Sequence, residues 1–413
     1  MMAAKQEADS QNSIPTASAP AAPDSTALSM SVYAAALASL PGMTPRRLAA
    51  VLAANEPERV WRLAASGLPA SAPGQAPLAA DLMHRQSEAA AALDLNELAC
   101  RLAASGVEVA VLGQPEYPPA LAGDHEAPGV FFWRGDLDLL RRPRVAIVGT
   151  RRATRYGVEV SRELGRNLAA AGVVVVSGLA LGIDAAAHAG ALDVSDGGTV
   201  AVVGSGLDVV YPRSNNALWH RIGCRGLISS EAAMGAAPEA WRFPVRNRII
   251  AALGQVLVVV ESHARGGSHH SVVAAEQRGR TVMAVPGSIR SSASEYPNQL
   301  LADGCPPVRD ADDVLVALGL STAQVAWPGE VGSPGSRPRT PALSPSGRND
   351  CSRLGVRSAA VLEVLGWEPA SLGDLVGRSG LAPGELSVLL AQLDCDGWVV
   401  NQGGWWQRVG PSR

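Results

Sequence analysis

The hydrophobic pattern of the chain changes period along its length. From Met30 to about Ala65 apolar residues recur three and four apart, at Tyr33, Leu37 and Leu40 and again at Leu48, Val51 and Leu52. That spacing predicts short amphipathic helices, two of them flanking the turn Leu40-Pro41-Gly42-Met43-Thr44-Pro45. A second helical segment is expected over Leu78–Ala104, then strands over Val107–Leu112 and Gly129–Trp133 with the proline-rich Tyr117-Pro118-Pro119 between them. From Arg144 strand and helix alternate. The apolar runs Val145–Val148, Val173–Val176, Val200–Val203, Leu227-Ile228, Val256–Val260 and Val282–Val285 are short and rich in β-branched residues. Runs this uniform fit strands buried on both faces of a parallel sheet. Helices are predicted over Val158–Ala171, Asp184–Leu192 and Val272–Arg278. The expected fold class is therefore α/β, a Rossmann-like doubly wound and mostly parallel sheet spanning roughly 144–318.

Composition shifts set the boundaries. Residues 1–27 are rich in Ala, Ser, Pro and Gln and are expected to be a disordered tail. Residues 28–97 form the helical module, 98–320 the Rossmann-like core, and 321–352 a Pro/Ser/Gly linker. In 353–413 three helices are expected, over Ala359–Leu365, Leu372–Val376 and Pro383–Leu393. A hairpin of Trp398–Val400 with Trp405–Val409 across Gly403-Gly404 follows. Three helices and a β wing make a winged-helix pattern.

Charge and rare residues narrow the chemistry. The 413 residues carry 35 basic and 38 acidic side chains, net −3. Bulk charge does not announce a nucleic-acid binder, so such a role must rest on local placement. Lys5 is the only lysine and lies in the tail, which excludes a P-loop or Schiff-base lysine in the folded parts. The five cysteines are far apart with no Cys-x-x-Cys, so neither a disulfide framework nor a zinc ribbon is indicated. The nearly uncharged stretch Leu168–Ile183 falls short of a membrane span. No secretory apolar segment opens the chain, so a cytoplasmic protein without membrane contact is expected.

In a doubly wound sheet the working residues follow the carboxyl ends of the strands. After the first strand comes Gly149-Thr150-Arg151-Arg152-Ala153-Thr154-Arg155, a glycine turn with a hydroxyl and arginines ahead of a helix. That composition suits an anion. The GxGxxG dinucleotide fingerprint is absent, and no cofactor is expected. After the second strand Ser177 and Gly178 offer another hydroxyl and amide. Asp184 and His188 share a helix face, either as an acid–base pair or, the commoner case, as a buried cap and packing histidine. Gly204-Ser205-Gly206 follows the third strand. The segment Trp241-Arg242-Phe243-Pro244-Val245-Arg246-Asn247-Arg248 places cations at a predicted helix start, against the macrodipole. Either a bound anion offsets them, or Glu231 or Glu261 pairs with one of them. Gly266-Gly267-Ser268 repeats the logic of the first loop, an amide nest with a hydroxyl. His263, His269 and His270 lack a spaced carboxylate or cysteine to complete a metal site.

Taken in order, VGTRRATRYG, SGLALGIDAAAH, GSGLDVVYPRSN, FPVRNRIIA, VVVES with GGS, and AVPGS resemble the DNA-processing protein A (DprA/Smf) family. The resemblance covers about 98–318, its helical N-terminal segment looks like that family's SAM-like module, and its last 55 residues look like the optional winged-helix domain. It implies a single-stranded DNA-binding protein without enzymatic activity that protects incoming strands in natural transformation and loads RecA onto them. It also implies a homodimer formed through the Rossmann-like domain. The matching positions make Gly149, Thr150, Arg151, Ser177, Gly178, Arg246, Arg248, Gly266, Gly267 and Ser268 the DNA-binding candidates, with Arg155 and Arg242 from the same loops. Leu181 stands where the family usually has arginine, which removes one positive charge. The same sheet variant also resembles nucleotide phosphoribohydrolases, whose PGGxGTxxE loop carries a catalytic glutamate. Residues 265–272 of this chain have no acid there.

Overall fold

The computed structural model describes residues 28–70, 78–320, 356–365, 370–396, 398–402 and 405–408. The expected tail and linker lie outside the described residues. The chain divides into two compact units, within 1–330 and 331–413.

The first unit opens with five helices: α1 Met30–Ser39, α2 Pro45–Ala54, α3 Pro57–Ala65, α4 Ala80–Ala92 and α5 Leu95–Ala104. The segment expected as one helix over Leu78–Ala104 is two. Leu93 leaves helical geometry, and the Asp94 carboxylate caps a new helix by accepting the amides of Asn96 and Glu97. β1 (Glu108–Val111), α6 (Pro119–Ala122) and β2 (Val130–Gly135) follow. The alternation is then β3 Arg144–Val148, α7 Arg155–Ala170, β4 Val174–Ser177, α8 Ile183–Ala191, β5 Thr199–Val202, α9 Asn216–Arg225, β6 Leu227–Ser230, α10 Arg242–Leu253, β7 Val256–Val259, α11 Ser268–Glu276, β8 Thr281–Ala284, α12 Glu295–Ala302 and α13 Ala311–Ala317.

The eight strands form one sheet in the order β1-β2-β6-β5-β4-β3-β7-β8. β1 and β2 pair antiparallel, as do β2 and β6, and every other pairing is parallel. Registers such as Ala146↔Val176 and Ala146↔Leu257 align the carboxyl ends of the strands. The uniform apolar runs serve two faces at once, because successive side chains point to opposite sides. Val145 and Ile147 join the core under α7, α8 and α13, whereas Ala146 and Val148 join the core under α10 and α11. The helical module shares a third core with β2, β5 and α9, where Leu37, Val60 and Trp61 pack with Phe132, Ala201 and Trp219.

The second unit contains α14 Val356–Leu365, β9 Ala370-Ser371, α15 Leu372–Ser379, α16 Pro383–Cys395, β10 Val399–Gln402 and β11 Trp405–Arg408. Its core is Val361, Leu362, Leu375, Leu386, Leu390, Leu393 and Trp398. β10 and β11 pair as the expected hairpin, and β9 adds a third strand through Ala370↔Trp406. Among the described residues no helix is long and apolar enough to cross a membrane.

Candidate functional site

β3, β4, β5, β6 and β7 all end on one rim of the sheet, and the loops and helices that follow them carry the DNA-binding candidates. The chain runs outward from β3 to β6, then returns to place β7 on the other side of β3. A doubly wound sheet opens its ligand crevice at that switch point. Here the crevice is closed from within. Glu261 is buried, and its carboxylate accepts the Thr154 amide at 2.8 Å and the Thr154 hydroxyl at 2.6 Å. Its carbonyl accepts the Thr150 amide at 2.7 Å. Thr154 is the N-cap of α7 and accepts the Gly157 amide. Gly157 must lack a side chain, because a methyl group there would overlap the Glu261 carboxylate. The anion that the α7 N-terminus favours is therefore supplied by the protein. Gly149 packs on Ile183 and the Glu261 carbonyl. The Thr150 amide is thus committed within the protein rather than left open to a ligand.

The β4 loop is also spent internally. Ser177 is buried and donates to the Ile147 carbonyl at 2.6 Å, and the Gly178 amide donates to Asp184 at 3.2 Å. Leu179 holds the left-handed φ of 56° that non-glycine residues avoid. The carboxamide of Asn215, bonded to the Leu179 carbonyl at 3.0 Å, helps to fix it. Asp184 and His188 are both buried, so the packing reading holds and the acid–base reading does not. Burial pushes the Asp184 carboxyl up, while Arg246 and two backbone amides pull it back. Burial, with the nearby Arg246 charge, lowers His188 to about 3.

α10 begins at Arg242, so Arg246 and Arg248 lie beyond its first turn, where the macrodipole has faded. Internal carboxylates face both. Arg248 pairs with Glu231 and donates to the Glu126 carbonyl at 2.7 Å. Arg246 is only 6% exposed, donates to the Val202 carbonyl at 2.6 Å and faces the Asp184 charge. Burial lowers its pKa to about 10, Asp184 raises it and Arg151 lowers it, so it stays charged at neutral pH. A methyl group at Gly178 would overlap its guanidinium. The misfit of cations at a helix start therefore requires no bound anion.

What faces outward is narrower than the sequence suggested. Arg151 is exposed, lies 4.8 Å from the Phe243 ring centre, and has no carboxylate partner among the described residues. Phe243 in turn packs on Tyr211 at 5.5 Å. A cavity of about 60 Å³ brings Arg151, Gly178, Gly204, Tyr211, Phe243 and Arg246 together. Arg155 pairs instead with Glu159 at 2.8 Å, and Arg242 pairs with Glu239 at 3.1 Å while lying over Trp241. Gly266 gives its amide to the His263 carbonyl, and Ser268 is buried with its hydroxyl 2.5 Å from that of Ser262. A side chain at Gly267 would meet open space, and the Gly267 carbonyl accepts from Asn247 on α10. The sequence reading missed Arg213, Arg265 and Arg290, and left Arg152 among its neighbours. All four are exposed on the loops after β5, β7, β8 and β3, without a carboxylate partner among the described residues. Their position just past strand ends was the available signal.

Residues 108–319, just over half of the chain and the whole of this rim, match the sequence profile of the DNA recombination-mediator protein A family. The chain belongs to that family. Residues 355–404 match the DprA winged helix domain. The DNA processing protein DprA of Streptococcus pneumoniae is 42% identical over 199 residues, 48% of this chain and 70% of that protein. Protein Smf of Escherichia coli is 32% identical over 294 residues, 71% of this chain and 75% of that protein. The solved structure of DNA processing protein A from S. pneumoniae aligns with a TM-score of 0.56 at 31% identity, covering 70% of this chain and 98% of that one. Membership in the DprA family thus spans the sheet and the C-terminal winged helix.

Proposed function

We propose that this member of the recombination-mediator family binds single-stranded DNA without regard to sequence along the rim, shields it as a homodimer, and hands it to the RecA recombinase. The observation that carries the reading is Arg151, held over Phe243 with no carboxylate partner among the described residues. Its guanidinium is held against that ring, while the charge of Arg246 behind it is faced by Asp184. Arg152, Arg213, Arg265 and Arg290 extend the uncompensated charge along the same rim. Cations that follow phosphates, beside aromatic rings on which bases stack, are what sequence-tolerant single-strand binding needs. A duplex hides its base faces and cannot use Tyr211 or Phe243 in that way. Hydrolysis of nucleotides fits less well. Residues 265–272 contain no acid, and the nearby carboxylates of Glu261 and Asp184 are committed to backbone amides.

The test is a titration of single- against double-stranded oligonucleotides at about 50 and about 200 mM salt. Single strands should bind more tightly at both. Arg151→Ala should weaken binding across all sequences and flatten the salt slope by about 0.7, with unchanged circular dichroism. Equal affinity for both forms, or an unaltered slope in the variant, would remove the rim from the function. The delivery step is separate: adding the protein should shorten the lag of RecA filament assembly on a coated strand.

A further inference from the structure

The proline-glycine turn of the helical module has no part in the rim, yet it borders a second opening. A groove of about 1110 Å³ lies between the start of α2 and the faces of α10 and α11, lined by Thr44, Arg46, Trp241, Arg248, His269 and His270 among others. The turn is not a backbone phosphate cradle. Its Met43 and Thr44 amides are spent on the carbonyls of Leu40 and Gly42, at 3.1 and 3.0 Å. Arg46 is different, being exposed and without a carboxylate partner among the described residues. The other charges of the groove are compensated. Arg248 pairs with Glu231, and Glu126 pairs with Arg278 at 3.0 Å. The uncompensated charge offered to a ligand is therefore positive.

Trp241 supplies the second half of the recognition. It is 46% exposed, and its orientation is fixed because its ring nitrogen donates to Glu239 at 2.8 Å and Arg242 stacks on it at 4.5 Å. It stands two residues before Phe243, so Phe243 lines the small rim cavity while Trp241 lines the groove. A strand lying across Arg151 and Phe243 has a fixed aromatic surface and then a free guanidinium ahead of it.

Resting on the single-strand reading above, we propose that this groove is a second tract for the same DNA strand, with Trp241 stacking a base and Arg46 holding a phosphate. The helical module is then a part of the binding surface. The tract adds contacts only for a strand long enough to leave the rim, and site sizes of about 4–16 nucleotides set the scale. The test compares oligo-dT of about six and about twenty nucleotides on the full chain. Trp241→Ala should cut the long-over-short affinity ratio roughly 5- to 150-fold, the range of one base–aromatic stack, and Trp241→Phe should restore most of it. Arg46→Ala should lower the ratio and flatten the salt slope on the long strand by about 0.7. If both alanine variants keep the ratio of the wild type while Arg151→Ala weakens both lengths, the groove is not part of the track and the rim reading stands. Wild-type protein that binds neither length overturns both.

Discussion

His188 shows how far one side chain can depart from what its neighbours in sequence suggest. It sits four residues after Asp184, the spacing of an acid–base pair, but both are buried under the β4 loop. The Thr199 hydroxyl gives its one hydrogen to the Val175 carbonyl, so the 2.7 Å contact with His188 places the imidazole proton on Nδ1. The ring is neutral in the folded state, with burial lowering it to about 3 and the Arg246 charge acting in the same direction. The unfolded chain takes up this proton near pH 6.5. A base with a depressed folded pKa contributes stability that is complete above the unfolded value and is lost as pH falls toward the folded one. Between pH 7 and pH 5 this one group should therefore cost about 2 kcal/mol of stability. Urea unfolding of wild type and His188→Leu across that range should give curves that converge at low pH, and parallel curves would contradict the assignment. The same scale explains what the sequence could not convey about the arginines. Arg151 and Arg246 both follow strand-end or helix-start motifs, yet one is exposed and the other is 6% exposed. Only the glycine at 178, which leaves room for the buried guanidinium, hints at the difference.

At the level of elements the strands were legible almost to the residue, because uniform β-branched runs between helical periods have few other readings. β9 was not, since two residues carry no period. The junction of β7 with α7 was the more consequential omission. Glu261 follows an apolar strand and offered itself as a partner for an arginine, but it holds a helix N-cap that lies 107 positions earlier in the chain. No local pattern encodes that pairing, which exists only because the crossover returns β7 to the side of β3. Glu261→Ala should take the acceptor away from the Thr154 amide and hydroxyl, two hydrogen bonds to a charged group, at a cost of about 1–3 kcal/mol. The loss should appear as a lower urea midpoint with an unchanged m-value. A midpoint equal to that of the wild type would mean that water or a neighbouring group substitutes for the carboxylate, and that the switch-point crevice is less firmly closed than the geometry indicates.

For the whole molecule, the question is which unit carries the affinity. A winged helix suggests DNA binding through its second or third helix, and the three-helix-and-wing pattern was readable from periodicity. Its chemistry points the other way. The described residues of the second unit hold three arginines and five acids. α16, which ends in the wing, carries Glu385 paired with Arg357, Asp394 near its end and Asp396 just beyond. Phosphate contacts supply most non-specific affinity, and an acidic helix adds repulsion instead. The rim of the first unit sets uncompensated arginines beside Tyr211 and Phe243, and the second unit has a hydrophobic core of its own. Removing residues 331–413 should therefore leave a folded protein whose affinity for a single strand stays within about threefold of the full chain, with the same salt slope of log affinity. A loss of tenfold or more, with the truncated protein still folded by circular dichroism, would move part of the binding surface into the winged helix. Retained affinity would instead leave that unit's exposed Trp405 and Val388 open to contacts of another kind, and would set the site of strand binding on the sheet rim, where the recombination-mediator profile of the chain also lies.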